Sequence, residues 1–167
     1  MTNIEGMFAS TACFDGDISN WDVSRVANMA FMFADGKFNG DISKWDTSRV
    51  TKMEGMFSGN AVFRSDISRW AVSKVINMRN MFLNAKLFNI DISDWDVSSV
   101  QSMDHMFAGA VSFKRKLCGV TWLWGCLGPL KGNQRGYVRR VVWVNFNDSM
   151  RQHCFLAMVQ NRAQSCR

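Results

Sequence analysis

The chain has 167 residues, 47% of them hydrophobic, with a single proline and a formal net charge of +6. That length can fill one sizeable core, and no run of the sequence approaches the ~18 consecutive apolar residues of a membrane-spanning helix. Two histidines, five cysteines, no G-x-S-x-G and no glycine-rich phosphate loop give enzymology no foothold, and an odd cysteine count defines no disulfide framework.

The first eight residues, Met1-Thr2-Asn3-Ile4-Glu5-Gly6-Met7-Phe8, align with Val50-Thr51-Lys52-Met53-Glu54-Gly55-Met56-Phe57. The chain therefore opens inside a repeated unit, as expected of a fragment of a longer array or of a misassigned initiator Met. This opening has neither the basic start nor the apolar run of a secretion signal.

Four copies of one unit follow, beginning at Phe14, Phe38, Phe63 and Phe88, and a fifth Phe, Phe113, opens a copy that fails. Asp-Ile-Ser recurs at 17–19, 41–43, 66–68 and 91–93, and Trp at 21, 45, 70 and 95. Val recurs at 26, 50, 75 and 100, and Met-x-x-Met-Phe closes the unit at 29–33, 53–57, 78–82 and 103–107. A period of 24 or 25 residues marks a stacked array in which each unit buries its apolar face against its neighbours.

Within a unit, Phe38, Asp41-Ile42-Ser43 and Trp45 alternate β-favouring and polar residues after Asn-Gly, which predicts a short strand. Val50, Met53, Met56 and Phe57 fall on one face of a short helix. Asp46, Ser48 and Thr51 would cap its start, and Gly59, Asn84 and Gly109 would take positive φ at its end. The expected fold is α/β: a leucine-rich-repeat-like solenoid of stacked strand–turn–short-helix units over residues 1–117, with four full units and a partial one at each end. Its strands would form a parallel ladder at about 4.8 Å.

Residues 118–167 change character. Residues 1–112 hold 10 Lys and Arg against 13 Asp and Glu, a net of −3; residues 113–167 hold 10 against 1, a net of +9. Cys118, Cys126, Cys154 and Cys166 lie here, with the only Pro and the only Tyr. Phe113 and Leu117 still match the Phe and Ile columns, but Val120 falls where Trp is expected, and Gly125 and Gly128 fall where Val and Met are expected. Two readings of this basic tail stand: a C-terminal cap, or a segment translated from a shifted frame. Residues 138–146 have the composition of a strand and residues 150–163 that of a helix.

The F-N-x-D-I-S-x-W-D-V-S-x-V-x-x-M-x-x-M-F unit resembles the BspA-like leucine-rich-repeat surface-protein family, whose 25-residue unit is also known from mycoplasma-type lipoproteins. The resemblance covers residues 1 to about 117, with Thr47 and Ala71 as departures. It implies a leucine-rich-repeat-like solenoid, often at the cell surface or secreted, with adhesion or protein binding as its role and no catalytic residues.

Four features compete for chemistry. Stacked Asp17, Asp41, Asp66 and Asp91 could hold Ca²⁺, which takes about six to eight oxygen ligands, but Asp in this context is expected to accept a backbone N–H of its own turn. The Met columns are expected as core filling rather than a soft-metal site. Arg25, Arg49 and Lys74 share one column, and Lys44 and Arg69 another; these five are the candidate interaction surface. The tail's Arg135, Arg139, Arg140 and Arg151, with Tyr137 and Trp143, could contact phosphates. The expected role is a non-enzymatic protein-interaction or adhesion module without cofactor or metal, whose open ends favour end-to-end self-association. The alternative is a basic-tail binder of nucleic acid or anionic membrane.

Overall fold

Alternate backbone N–H groups in the Met-x-x-Met-Phe segments at 29–33, 53–57 and 78–82 bond to the next coil instead of to their own. The computed structural model describes residues 1–117 and Trp122. In it Met53, Gly55, Phe57 and Gly59 donate to the carbonyls of Asn77, Arg79, Met81 and Leu83 at 2.7–2.9 Å. The residues between them close tight turns, with Met56, Ser58 and Asn60 donating to the carbonyls three residues back, those of Met53, Gly55 and Phe57. The same alternation recurs over residues 4–10, 29–35 and 78–84.

Positive φ makes the alternation possible. Gly6, Phe31, Gly55, Asn80 and His105 have φ of 55–62°, and Ser10, Asp35, Gly59, Asn84 and Gly109, four residues on, have φ of 53–72°. A left-handed residue every fourth position interrupts any right-handed helix. It also allows alternate peptide groups to face the neighbouring coil, where their hydrogen bonds hold the stack.

The expected α/β, leucine-rich-repeat-like solenoid is therefore not what this chain forms. Residues 1–117 contain no helix and no strand longer than a single bridge. Four isolated parallel bridges run Asn3–Asn28–Lys52–Asn77–Ser102, just before each Met-x-x-Met-Phe segment and not in the Phe-to-Trp stretch where strands were expected. The expected helix fails for a definable reason. Two successive tight turns bury the same i, i+3, i+4 side chains as one helical turn, so apolar spacing does not separate them. Gly59, Asn84 and Gly109 do take positive φ as expected, but as turn residues and not as helix ends.

Counting from the bridges gives five coils: residues 2–26, 27–50, 51–75, 76–100, and a fifth from 101 to Trp122. The core is made of columns that run through them. Phe8, Phe33, Phe57, Phe82 and Phe107 stack at 5.7–5.8 Å. A second file of rings packs alongside the first, with Phe57–Phe63 centroids 3.7 Å apart and Phe82–Phe88 3.8 Å apart. Ile18, Ile42, Ile67 and Ile92 are buried, as are Met32, Met56, Met81 and Met106. Each such side chain contributes roughly 1.5–3 kcal/mol when fully buried, so the core needs neither metal nor disulfide.

Each buried Trp ties its coil to the one before. The indole N–H groups of Trp45, Trp70 and Trp95 donate to the carbonyls of Ile18, Ile42 and Ile67 at 3.0–3.2 Å. The fifth coil keeps the device. Trp122, 5% exposed, donates to the Ile92 carbonyl at 3.2 Å, so Trp122 and not Val120 fills the fifth Trp position. Two extra residues displace it from the expected phase. The second coil is instead one residue short between Phe33 and Phe38. The buried Asn60 side chain on the next coil donates to the Phe38 carbonyl at 2.9 Å. The two tail readings and the expected strand and helix at 138–146 and 150–163 lie outside the described residues.

Candidate interaction surface

The turns before and after each Trp carry the charged columns, and their shape follows from local sequence. Asp17, Asp41, Asp66 and Asp91 each accept the backbone N–H of the Ser two residues on, at 2.9–3.0 Å. Asp22, Asp46 and Asp96 do the same for Ser24, Ser48 and Ser98 at 3.0–3.1 Å. These are Asp-Ser turns closed within three residues, as expected for turn aspartates.

The same bonds hold the carboxyl groups below the usual carboxylate range. For Asp17, Asp41, Asp66 and Asp91 the leading cause is the backbone N–H of the Ser. For Asp22, Asp46 and Asp96 it is the Ser hydroxyl. Both donors favour the ionised form, so these aspartates are charged at neutral pH. Among the described residues, no three His, Cys, Asp or Glu side chains cluster as metal ligands would.

The five basic residues singled out from the sequence are all exposed. The coil register places Lys44 and Arg69 in one column, and Arg25, Arg49 and Lys74 in another. Four of them stand three residues after a turn aspartate and lower its affinity for a proton: Arg25 for Asp22, Lys44 for Asp41, Arg49 for Asp46, Arg69 for Asp66. The pairs stay at long range, and among the described residues no carboxylate lies within ion-pair distance of the five. The side chains are therefore available to solvent or to a partner.

The aspartate columns change what the surface is. It is a field of both signs and not a basic stripe. In the third coil Ala71 replaces the second turn aspartate, so Asp66 is outnumbered by Arg69 and Lys74. In the turns around Trp95 of the fourth coil, Asp91, Asp94 and Asp96 stand with Ser99, and the cation acting on Asp91 is Arg115 of the next coil. The sign of the face thus reverses across one coil-to-coil step. The break is already legible in the sequence, where Asp94 and Ser99 interrupt the two basic columns.

Two features escaped the sequence reading. The positive-φ column at Gly6, Gly55 and Asn80 had a visible signal in its Gly and Asn content. Trp122 had one too, since a Trp within two residues of the expected phase is rare. The tail arginines proposed as phosphate contacts lie outside the described residues. Among the described residues no helix is long and apolar enough to cross a membrane.

Comparison with known proteins agrees with the extent of the stack. No curated protein and no solved structure matches the chain. A family profile matches residues 2–122, ending at the Trp that completes the fifth coil. The chain accordingly belongs to the family described as "Mycoplasma protein of unknown function, DUF285".

Proposed function

We propose that the chain is a non-enzymatic interaction module that binds a protein partner across its charged turn face, in the manner of an adhesion repeat. The observation that carries this reading is the set of exposed Arg25, Lys44, Arg49, Arg69 and Lys74 side chains, none engaged in an ion pair with a described residue, on a scaffold whose apolar columns point inward. A stacked scaffold holds such side chains at fixed spacing, so a partner meets a surface that needs little ordering. The resemblance of the repeat unit to BspA-like surface proteins supports the same role at a cell surface. The fitting partner is a protein segment of mixed charge, since a purely acidic one would meet Asp91, Asp94 and Asp96.

The test is binding of the chain to an array of extended peptides of acidic, basic and mixed charge. Mixed-charge peptides should be retained, and retention should fall as salt rises. Lys44→Glu with Arg69→Glu should abolish it, while removal of residues 123–167 should leave it unchanged. Binding that survives the charge reversal but disappears with the tail would overturn this reading in favour of a basic-tail binder of phosphate-bearing ligands.

A further inference from the structure

Asn39-Gly40 is the single Asn-Gly step in the sequence, and it stands on the surface just after the buried Phe38. Asn39 is exposed and its side chain reaches to the third coil. Its Oδ1 accepts the Arg64 backbone N–H at 2.7 Å, and the Ser65 hydroxyl lies 3.1 Å from the same oxygen and 3.0 Å from the Asn39 backbone carbonyl. An amide oxygen has lone pairs for two such donors. The Gly40 N–H, one residue on, has no acceptor among the described residues. A Cβ at Gly40 would stand 2.8 Å from the Phe38 ring, so the packing itself selects glycine here. The nitrogen beside Asn39 is thus unbonded and unshielded by a side chain. The fourth coil holds the matching pair Asn89-Ile90. There Oδ1 accepts the Lys114 N–H at 3.0 Å, but Arg115 stands in place of Ser65 and bonds the Asn89 backbone carbonyl instead. Ile90 also crowds its own nitrogen with a β-branched side chain.

We propose that Asn39 is a self-modification site, at which the folded chain converts its own side-chain amide to a carboxylate through a cyclic imide. The Gly40 nitrogen gives its proton to hydroxide or another solvent base and attacks Cγ of Asn39. The new N–Cγ bond pushes the carbonyl electron pair onto Oδ1. The oxyanion collapses, the Cγ–Nδ2 bond breaks, and Nδ2 takes a proton from water and leaves as ammonia. Water then opens the imide at either carbonyl and leaves aspartate or isoaspartate at position 39. The Arg64 N–H and the Ser65 hydroxyl already sit at the oxygen on which negative charge develops, and donors fixed there before reaction lower its barrier. Both come from a coil 25 or 26 residues away in sequence, so the acceleration belongs to the stack and not to the dipeptide. An aspartate keeps an acceptor for the Arg64 N–H. An isoaspartate adds a methylene to the main chain between the buried Phe38 and Ile42 and puts the second coil out of phase with its neighbours. This chemistry is separate from the proposed binding role and does not depend on it.

The test is incubation of the full chain at mildly alkaline pH and physiological temperature. Ammonia release is followed, the peptides carrying Asn39 and Asn89 are separated and weighed, and isoaspartate is identified by enzymatic methylation. Asn39 should convert to acid many-fold faster than Asn89. Ser65→Ala should slow conversion of Asn39 several-fold in the folded chain, and Ser65→Thr, which keeps the hydroxyl, should restore the rate. In urea, where the two coils are apart, Ser65→Ala should change nothing. Conversion of Asn39 no faster than that of Asn89 in the folded chain would overturn the proposal. So would a folded-chain rate indifferent to Ser65→Ala, or an equal slowing by Ser65→Ala in urea.

Discussion

Trp21 and Trp70 occupy the same place in the repeat, yet one is 41% exposed and the other 3%. The first coil and the interior coils are written with nearly the same residues, and their side chains differ in what lies on either side. Trp70 is stacked on Trp45 at 6.3 Å and donates to Ile42, whereas Trp21 touches Phe8 at 5.7 Å and has no coil beneath it among the described residues. The lesson is that a repeat residue stabilises through its neighbours in the stack. An identical letter is worth most in the interior and least at the first coil.

The largest test of this difference is truncation of the Trp column. Trp70→Ala should cost about 3–5 kcal/mol, as for a fully buried aromatic. Trp21→Ala should cost less than half as much, because much of its surface is already in water. Chemical denaturation of the two variants measures the gap, and equal costs would refute the neighbour argument.

The glycines of the positive-φ column give the next test. A Cβ at Gly55 (φ +57°) would run into the Phe31 ring of the preceding coil, whereas a Cβ at Gly6 (φ +62°) would meet nothing. Gly6→Ala should cost only the left-handed backbone penalty, about 1–2 kcal/mol. Gly55→Ala should add displacement of a packed ring, for about 2–4 kcal/mol in all. Thermal melts of both variants separate the backbone effect from the stacking effect.

A smaller effect isolates one hydrogen bond. Trp45→Phe keeps a ring in the column but leaves the Ile18 carbonyl without its donor, and should cost about 1–3 kcal/mol. Trp21→Phe should be nearly neutral, since its N–H donates to nothing among the described residues.

The smallest effect should be common to both regions. The Asp-Ser turns close within three residues, so Asp17 in the first coil and Asp66 in the third should behave alike. Their pKa values are lowered in the folded chain, so the stabilisation is present above the unfolded aspartate value of about 3.9 and is lost as pH falls through the folded values. Melting temperature should be flat from pH 7 to about 5 and should fall below about 4. Asp17→Ala and Asp66→Ala should each reduce that acid-side fall by a similar small amount. A marked difference would show that these turns, too, depend on the stack.

Much of the core was legible in the sequence. In the second and third coils the Phe, Ile, Trp, Val and Met columns fall inside where their fixed phase put them, because a residue that must face its own copy in the next coil cannot change type freely. The turn aspartates were legible for the opposite reason, since their partner is two residues away. The helix was misread because Met53, Met56 and Phe57 satisfy helical spacing and tight-turn spacing equally. The φ values of Gly55 and Gly59 decide between them. Trp122 was missed because a fixed period was imposed on a coil that carries two extra residues. Of the candidate surface, the exposure of Lys44 and Arg69 and the break of both basic columns at Asp94 and Ser99 were legible; the action of Lys44 and Arg69 on the turn aspartates beside them needed the structure.

By itself the sequence determined the period, the inward columns, the Asp-Ser turns and the change of charge after residue 112, because each depends on composition or on partners a few residues apart. Only the tertiary structure decided how the backbone of Met-x-x-Met-Phe is used. A peptide N–H can bond three residues back or across to another coil 23 to 25 residues away. Apolar spacing is the same in both cases, and only stacked neighbours supply the second partner. The structure likewise decided that two copies of the same Trp differ, since burial depends on which coils lie on either side.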